Sequence, residues 1–216
     1  MNCIVTAGPT FEPVDQVRRL SNLSTGQLGG NLANFLVDQG HAVHLLLGEM
    51  ATWGGPVRAQ VQTRFTTTSD LHARLEQLAA ADVDAVFHAA AVSDFAVAGV
   101  WTREPDGALH AVPARKIPSQ LVSLFLELRP TLKIIACLRR WFPAAVIVGW
   151  KYEVEGTPAD ALAEARLQIQ SCGTSACVVN GLAYGAGYGL VTADGASDHF
   201  ASAVALYRAL ERCAGA

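Results

Sequence analysis

Apolar residues recur along the chain in two rhythms. Short continuous runs, at 2–6, 42–47, 83–91, 145–149 and 176–179, read as strands buried on both faces. Between them the apolar positions step by three and four. Leu28, Leu32, Phe35 and Leu36 predict a helix that starts near Ser24 to Gly26 and ends at Gly40. Leu71, Leu75 and Leu78 predict a second, with Ser69 as N-cap. A third is expected over 130–141 with Pro130 in its first turn, and a fourth from Thr157-Pro158-Ala159-Asp160 to just before Gly173. A last helix is expected at about 199–212. Short strands at 61–66 and 121–128 complete the set, with loops at 10–23, 49–60 and 185–189 and a turn at Asp194-Gly195. Strand and helix alternate. This predicts an α/β fold: a doubly wound, mostly parallel Rossmann-like sheet with helices on both faces.

One segment breaks the alternation. Residues 96–119 carry an Asp106-Gly107 hairpin signal between Trp101 and Leu109, and read as an inserted β arm and flap. No repeat or low-complexity linker divides the chain, so 1–216 is expected to be a single domain with that insertion.

The 216 residues are 51% hydrophobic and 16% charged, enough to fill one core. The net charge of −3 without basic clusters argues against a nucleic-acid partner. No apolar run approaches the roughly 20 residues of a membrane helix, and no leader pattern opens the chain. Five cysteines without CxxC spacing read as free thiols, and a cytoplasmic location is expected.

In an open parallel sheet, ligands bind beyond the carboxyl ends of the strands. That rule selects Ala7 to Thr10, Ala90 to Asp94, Trp150-Lys151 and Asn180. Gly8 with Ser24-x-Gly26-x-x-Gly29 reads as a phosphate cradle of backbone N–H groups and hydroxyls, or else as a tight turn and helix cap. Asn22 is an oxyanion donor or, from local pattern alone, a loop cap. Arg18 and Arg19 read as phosphate or carboxylate ligands or as solvated surface. Asp94 suits a ribose hydroxyl, an amide, a magnesium ion or a turn cap. Only three lysines are present, which draws attention to Lys116 and Lys151 as triphosphate cations. Asn180 reads a base edge or ends a strand. His72, His88 and His110 lack metal spacing and are taken as structural.

Six segments, in order, carry a family resemblance. They are Thr6-Ala-Gly-Pro-Thr10, Val17 to Gly26 with Gly29, Ala89 to Phe95, Lys116-Ile-Pro-Ser119, Gly149-Trp-Lys-Tyr-Glu153 and Val178-Val-Asn180. The chain resembles phosphopantothenate–cysteine ligases, a family also found as the C-terminal half of bifunctional coenzyme A biosynthesis flavoproteins. The resemblance implies a two-step reaction. The carboxylate of 4′-phosphopantothenate attacks the α-phosphate of CTP or ATP and pyrophosphate leaves; the cysteine amine then displaces CMP or AMP. It implies Mg2+ with the triphosphate and a homodimer joined through the arm. It assigns Asn22 to the acyl intermediate, Arg18 to the pantothenate phosphate, and Gly8, Ser24, Gly26 and Gly29 to the triphosphate. Ala90, Ala91 and Asp94 fall on the substrate and ribose side, Lys116 on the flap, and Trp150 and Asn180 at the base. Trp150 stands where the family usually has Phe.

Two other readings compete. A nicotinamide-dependent reductase would set pyrophosphate on the first helix and use Glu49 on a ribose. It lacks a Tyr-x-x-x-Lys pair, and its glycines lie about twenty residues beyond the first strand. A non-catalytic nucleotide-binding paralogue is the other.

Overall fold

The computed structural model describes residues 1–113, 115–118, 120–121 and 123–215. Of the sequence-predicted segments, Ala114 and Ser119 of the arm and Val122 of the 121–128 strand lie outside them.

The first unit is β1 (Asn2–Ala7), α1 (Gln27–Asp38) and β4 (Ala42–Gly48), with β1 and β4 parallel. Between β1 and α1 the 10–23 stretch is not a plain loop. It folds as an antiparallel hairpin, β2 (Phe11–Pro13) against β3 (Arg19–Ser21). Then come β5 (Val61–Phe65), α2 (Thr68–Gln77) and β6 (Ala85–His88). The cap of α2 is Thr67, two residues before the expected Ser69: its side chain accepts the Asp70 N–H.

The arm follows as β7 (Phe95–Arg103), β8 (Leu109–Ala111) and β9 (Phe125–Pro130), a separate three-stranded sheet ordered β8-β7-β9. Pro130 ends β9 rather than opening a helix, and α3 is short (Ile135–Trp141). Among the described residues β9 pairs on one side only, and an edge strand is where a sheet tolerates proline. The main sheet resumes with β10 (Val146–Tyr152), α4 (Pro158–Cys172) and β11 (Ala176–Gly181). A full capping box between Thr157 and Asp160 opens α4, with Pro158 at its first turn. The expected 185–189 loop is instead the start of β12 (Gly185–Thr192), and β13 (Ser197–Phe200) precedes α5 (Ala203–Gly215).

The eight strands run in the order β13-β12-β11-β10-β6-β1-β4-β5, with β12 and β13 antiparallel and the rest parallel. Side chains alternate across the sheet with period two. Val5, Ala7, Leu45 and Leu47 face one core with Leu32 and Leu36 of α1 and Leu206 and Leu210 of α5. Ile4, Leu46 and Val86 face the other, with Leu71 of α2 and Leu138 of α3. On that second side α4 packs Ala161 and Ala165 against Cys177 and Val179. Helices therefore cover both faces of a mostly parallel, Rossmann-like sheet. Among the described residues, no helix is long and apolar enough to cross a membrane.

Candidate nucleotide and acyl site

The chain leaves β1 through Gly8, held at φ 80°, and enters α1 through Gly26 at φ 78°. Both are left-handed conformations that a Cβ disfavours. Space forbids one as well. A Cβ on Gly26 would lie 3.0 Å from the Ala51 methyl and 3.2 Å from the Gly8 nitrogen, and one on Gly29 would lie 2.7 Å from the Ala7 Cβ. The turn, the helix start and the loop after β4 thus meet backbone to backbone. α1 has no side-chain cap, since Gly26 offers none, while Thr25 Oγ1 accepts the Gln27 N–H at 3.2 Å. The first amides of a helix have no partner inside it, and this end of the dipole favours an anion.

Next to the turn, three segments are zipped together. The Thr10 N–H donates to the Ala91 carbonyl at 3.1 Å, and the Ala91 N–H to the Gly8 carbonyl at 3.0 Å. Thr10 Oγ1 accepts the Ser93 N–H at 2.8 Å and donates to Ser93 Oγ at 3.1 Å, both buried. Ser21 Oγ donates to the Thr10 carbonyl at 2.9 Å, and Asn22 Nδ2 to the Val92 carbonyl at 3.0 Å. Gly8, Ala91 and Asn22 are brought side by side at the carboxyl ends of β1 and β6, and Gly26 with Gly8. Asn22 keeps its second N–H and its carbonyl oxygen beyond that bond, on an exposed residue. Ala90 is partly buried, its N–H on Thr6 Oγ1 at 3.2 Å. Ser24 is partly buried and Asp94 is exposed.

The cations divide differently from their sequence reading. Arg18 Nη1 donates to Asp15 Oδ2 at 2.5 Å, and both its terminal nitrogens reach the Ile117 carbonyl at 3.3 Å. Lys151 lies 3.6 Å from both Glu153 and Glu164, on the α4 side of the sheet. Its neighbour Trp150 alternates to the other side, against the α1 and α5 core, with its buried Nε1 unpartnered among the described residues. Lys116 is exposed and has no ion pair among the described residues. Arg19 lies 4.1 Å over the Phe11 ring and 3.8 Å from Glu49, so the carboxylate a reductase would need for ribose has a cation beside it.

Asn180 lines a cleft of about 540 Å³ with Tyr152, Leu182 and Tyr188, beyond the ends of β10 and β11. A groove of about 690 Å³ lies elsewhere, between the 13–16 turn and β7 of the arm. No group of three or more metal-ligating side chains occurs among the described residues.

Sequence reasoning passed over Asp15, and it took in Thr10 and Ser93 only as members of their strand-end segments, with no role for either. Asp15 had a local signal: its carboxylate accepts the N–H groups of Val17 at 2.8 Å and Arg18 at 2.7 Å, an Asx turn typical of Asp between strands. Its long-range partner, Ile117, leaves no local trace.

A family model for the DNA/pantothenate metabolism flavoprotein C-terminal domain matches residues 1–196. The coenzyme A biosynthesis bifunctional protein CoaBC of Thermococcus kodakarensis is 30% identical over 183 residues, 83% of this chain and 41% of that protein. The same-named protein of Mycobacterium tuberculosis is 29% identical over 93% of this chain and 47% of its own length. The chain therefore spans less than half the length of these curated relatives. Among solved structures, a DNA/pantothenate metabolism flavoprotein from Streptococcus pneumoniae superposes with a TM-score of 0.84 at 23% identity, covering 98% of this chain and 97% of that one. A Cab2 variant in complex with phosphopantothenate-cysteine superposes with a TM-score of 0.68 at 17% identity, covering 100% and 89%. The ordered motifs, the sheet they build and these matches place the chain in the DNA/pantothenate metabolism flavoprotein C-terminal domain family.

Proposed function

We propose that the chain is a phosphopantothenate–cysteine ligase domain that activates a carboxylate with CTP or ATP. The observation that carries this is the cluster at the carboxyl ends of the central strands β1 and β6: the Gly8–Gly26 contact, the Gly8–Ala91 bond and the Asn22–Val92 bond. Such a site has backbone donors and an exposed amide, and the hydroxyl–imidazole pair beneath it, Thr6 with His88, is buried; this suits nucleotidyl transfer, where positioning and charge neutralisation dominate.

In this reading a carboxylate oxygen of phosphopantothenate attacks the α-phosphorus and the bond to pyrophosphate breaks. The cysteine amine then attacks the acyl carbon, loses a proton, and the nucleoside monophosphate leaves. Gly8, Ser24, Gly26 and Gly29 hold the triphosphate with backbone N–H groups, and Asn22 holds the acyl oxygen. Ala90 and Ala91 wall the acyl chain. Trp150 and Asn180 meet the base. Arg18, whose side chain is still 44% exposed, takes the pantothenate phosphate. We give the triphosphate charge to Lys116 rather than Lys151, because Lys151 lies between two carboxylates. A magnesium ion that arrives with the nucleotide keeps phosphate and water ligands and needs one or two carboxylates; in this reading exposed Asp94, just beyond β6, would supply one. When bound, it neutralises phosphate charge.

We further propose a homodimer formed through the arm. Leu126 and Leu128 of β9, an edge strand, and Leu124 just before it stand at alternate positions and are each about two-fifths exposed. An apolar, unpaired strand edge is a natural site for a second copy.

Pyrophosphate release with CTP and with ATP, in the presence of magnesium and phosphopantothenate, tests the activity. Release that depends on phosphopantothenate is expected; no release with either nucleotide overturns the reading.

A further inference from the structure

We infer that Asp15 is a positioning residue: its carboxylate, enclosed by the Ile117 amide and the Arg18 guanidinium, locks the backbone that carries Lys116 onto the β2–β3 turn. The Asp15 side chain is fully buried and accepts four hydrogen bonds. Two of them, from the Val17 and Arg18 amides, serve the turn itself. The other two do not. The Ile117 N–H reaches Asp15 Oδ2 at 3.0 Å across 102 residues of sequence, and Arg18 Nη1 meets the same oxygen at 2.5 Å.

Arg18 closes the clasp by donating to the Ile117 carbonyl at 3.3 Å, and the Gln16 N–H donates to the Arg115 carbonyl at 3.2 Å. The Ile117 side chain is buried with Val14 and Val100. Both neighbours of Lys116 are thus bonded to one turn, while Lys116 itself stays exposed. A buried carboxylate is costly without such donors. The Ile117 amide foremost, then the turn amides and Arg18, hold its pKa down to about 2. The geometry predicts that Lys116 is presented from a fixed backbone and not from a free flap.

The catalytic consequence rests on the ligase reading, so the test has an arm that does not. In Asp15→Asn, one oxygen still serves the turn, but an NH2 group faces the Ile117 N–H and Arg18. Exchange of the Ile117 amide, followed by NMR, should speed up about tenfold or more, the scale of losing a bond to a charged group. In turnover at saturating phosphopantothenate, which takes Arg18's binding of its phosphate out of the comparison, kcat for pyrophosphate release should fall about tenfold with the nucleotide KM little changed. Adding Lys116→Ala to Asp15→Asn should cost no more than Lys116→Ala alone, because coupled residues are not additive.

Unchanged Ile117 exchange overturns the clasp. Faster exchange with multiplicative losses in the double variant overturns the action through Lys116. If the unaltered protein releases no pyrophosphate, the ligase reading fails while the exchange result still decides the clasp. Should D15N not fold, Asp15→Ser keeps an acceptor for the turn and removes the charge, and the same readouts apply.

Discussion

His88 shows how the site's floor is stabilised. It is buried at the end of β6, its Nδ1 2.9 Å from Thr6 Oγ1, and desolvation pushes its pKa down to about 4. The unfolded chain takes up that proton near 6.5. Between these values the unfolded state binds more protons than the folded one, so stability is full above pH 6.5 and is lost as pH falls toward 4. At pH 4.5 the loss is on the order of 2–3 kcal/mol. Urea midpoints at pH 7 and 4.5 should show a smaller drop in His88→Gln than in the parent, whatever the variant's own baseline. Equal drops would remove His88 from the acid response.

Single residues also mark the limit of sequence reading. Gly8 and Gly26 stand out as candidates because a turn and a helix start announce themselves locally, whereas Asn22 reads locally as a loop cap and owes its candidate role to the family resemblance. The setting of Arg18 has no local signal, because its partner Ile117 lies 99 residues away. Lys151 likewise meets Glu164 across the start of α4, a pairing set by how that helix lands on the sheet.

Among the elements, those with a buried period were legible. β1, β4, α1 and α4 fall where the apolar pattern and caps put them. The errors have separate physical causes. Pro130 reads as a helix N1 residue but ends an edge strand, where its missing N–H costs nothing. β12 carries glycines at 185, 187 and 189 and reads as loop, yet β11 and β13 supply its ladder on both sides. In Thr66-Thr67-Thr68-Ser69 every residue is an acceptable cap, and tertiary packing selects Thr67.

The ends of α1 give a paired prediction. Gly26 and Gly40 are both left-handed, at φ 78° and 85°, but a Cβ at 40 meets nothing within 4 Å while one at 26 meets Ala51 and Gly8. Gly40→Ala should cost about 1 kcal/mol of stability, the scale of the left-handed penalty, and leave turnover intact. Gly26→Ala should cost at least as much and abolish pyrophosphate release. Thermal melts and turnover measured on both variants check this. Equal turnover would separate Gly26 from the phosphate site.

For the molecule as a whole, the alternation of strand and helix made the fold class readable, and the broken pattern at 96–119 announced β7 and β8 of the arm, while β9 read as one more short strand outside it. What the arm does is a question of assembly. Leu126→Asp puts a charge in the exposed leucine row of β9 without touching the core. Sedimentation should show a dimer for the parent and a monomer for this variant. A monomeric parent, or an unaffected dimer, would contradict assembly through β9.

The central claim is that the cluster at the ends of β1 and β6 joins a carboxylate to a nucleotide. The direct measurement uses phosphopantothenate labelled with oxygen-18 in its carboxylate, turned over with cysteine, magnesium and the preferred nucleotide. Attack of that carboxylate on the α-phosphorus predicts one labelled oxygen in the phosphate of the released CMP or AMP. Label in orthophosphate or pyrophosphate, or in no phosphate at all, would contradict it.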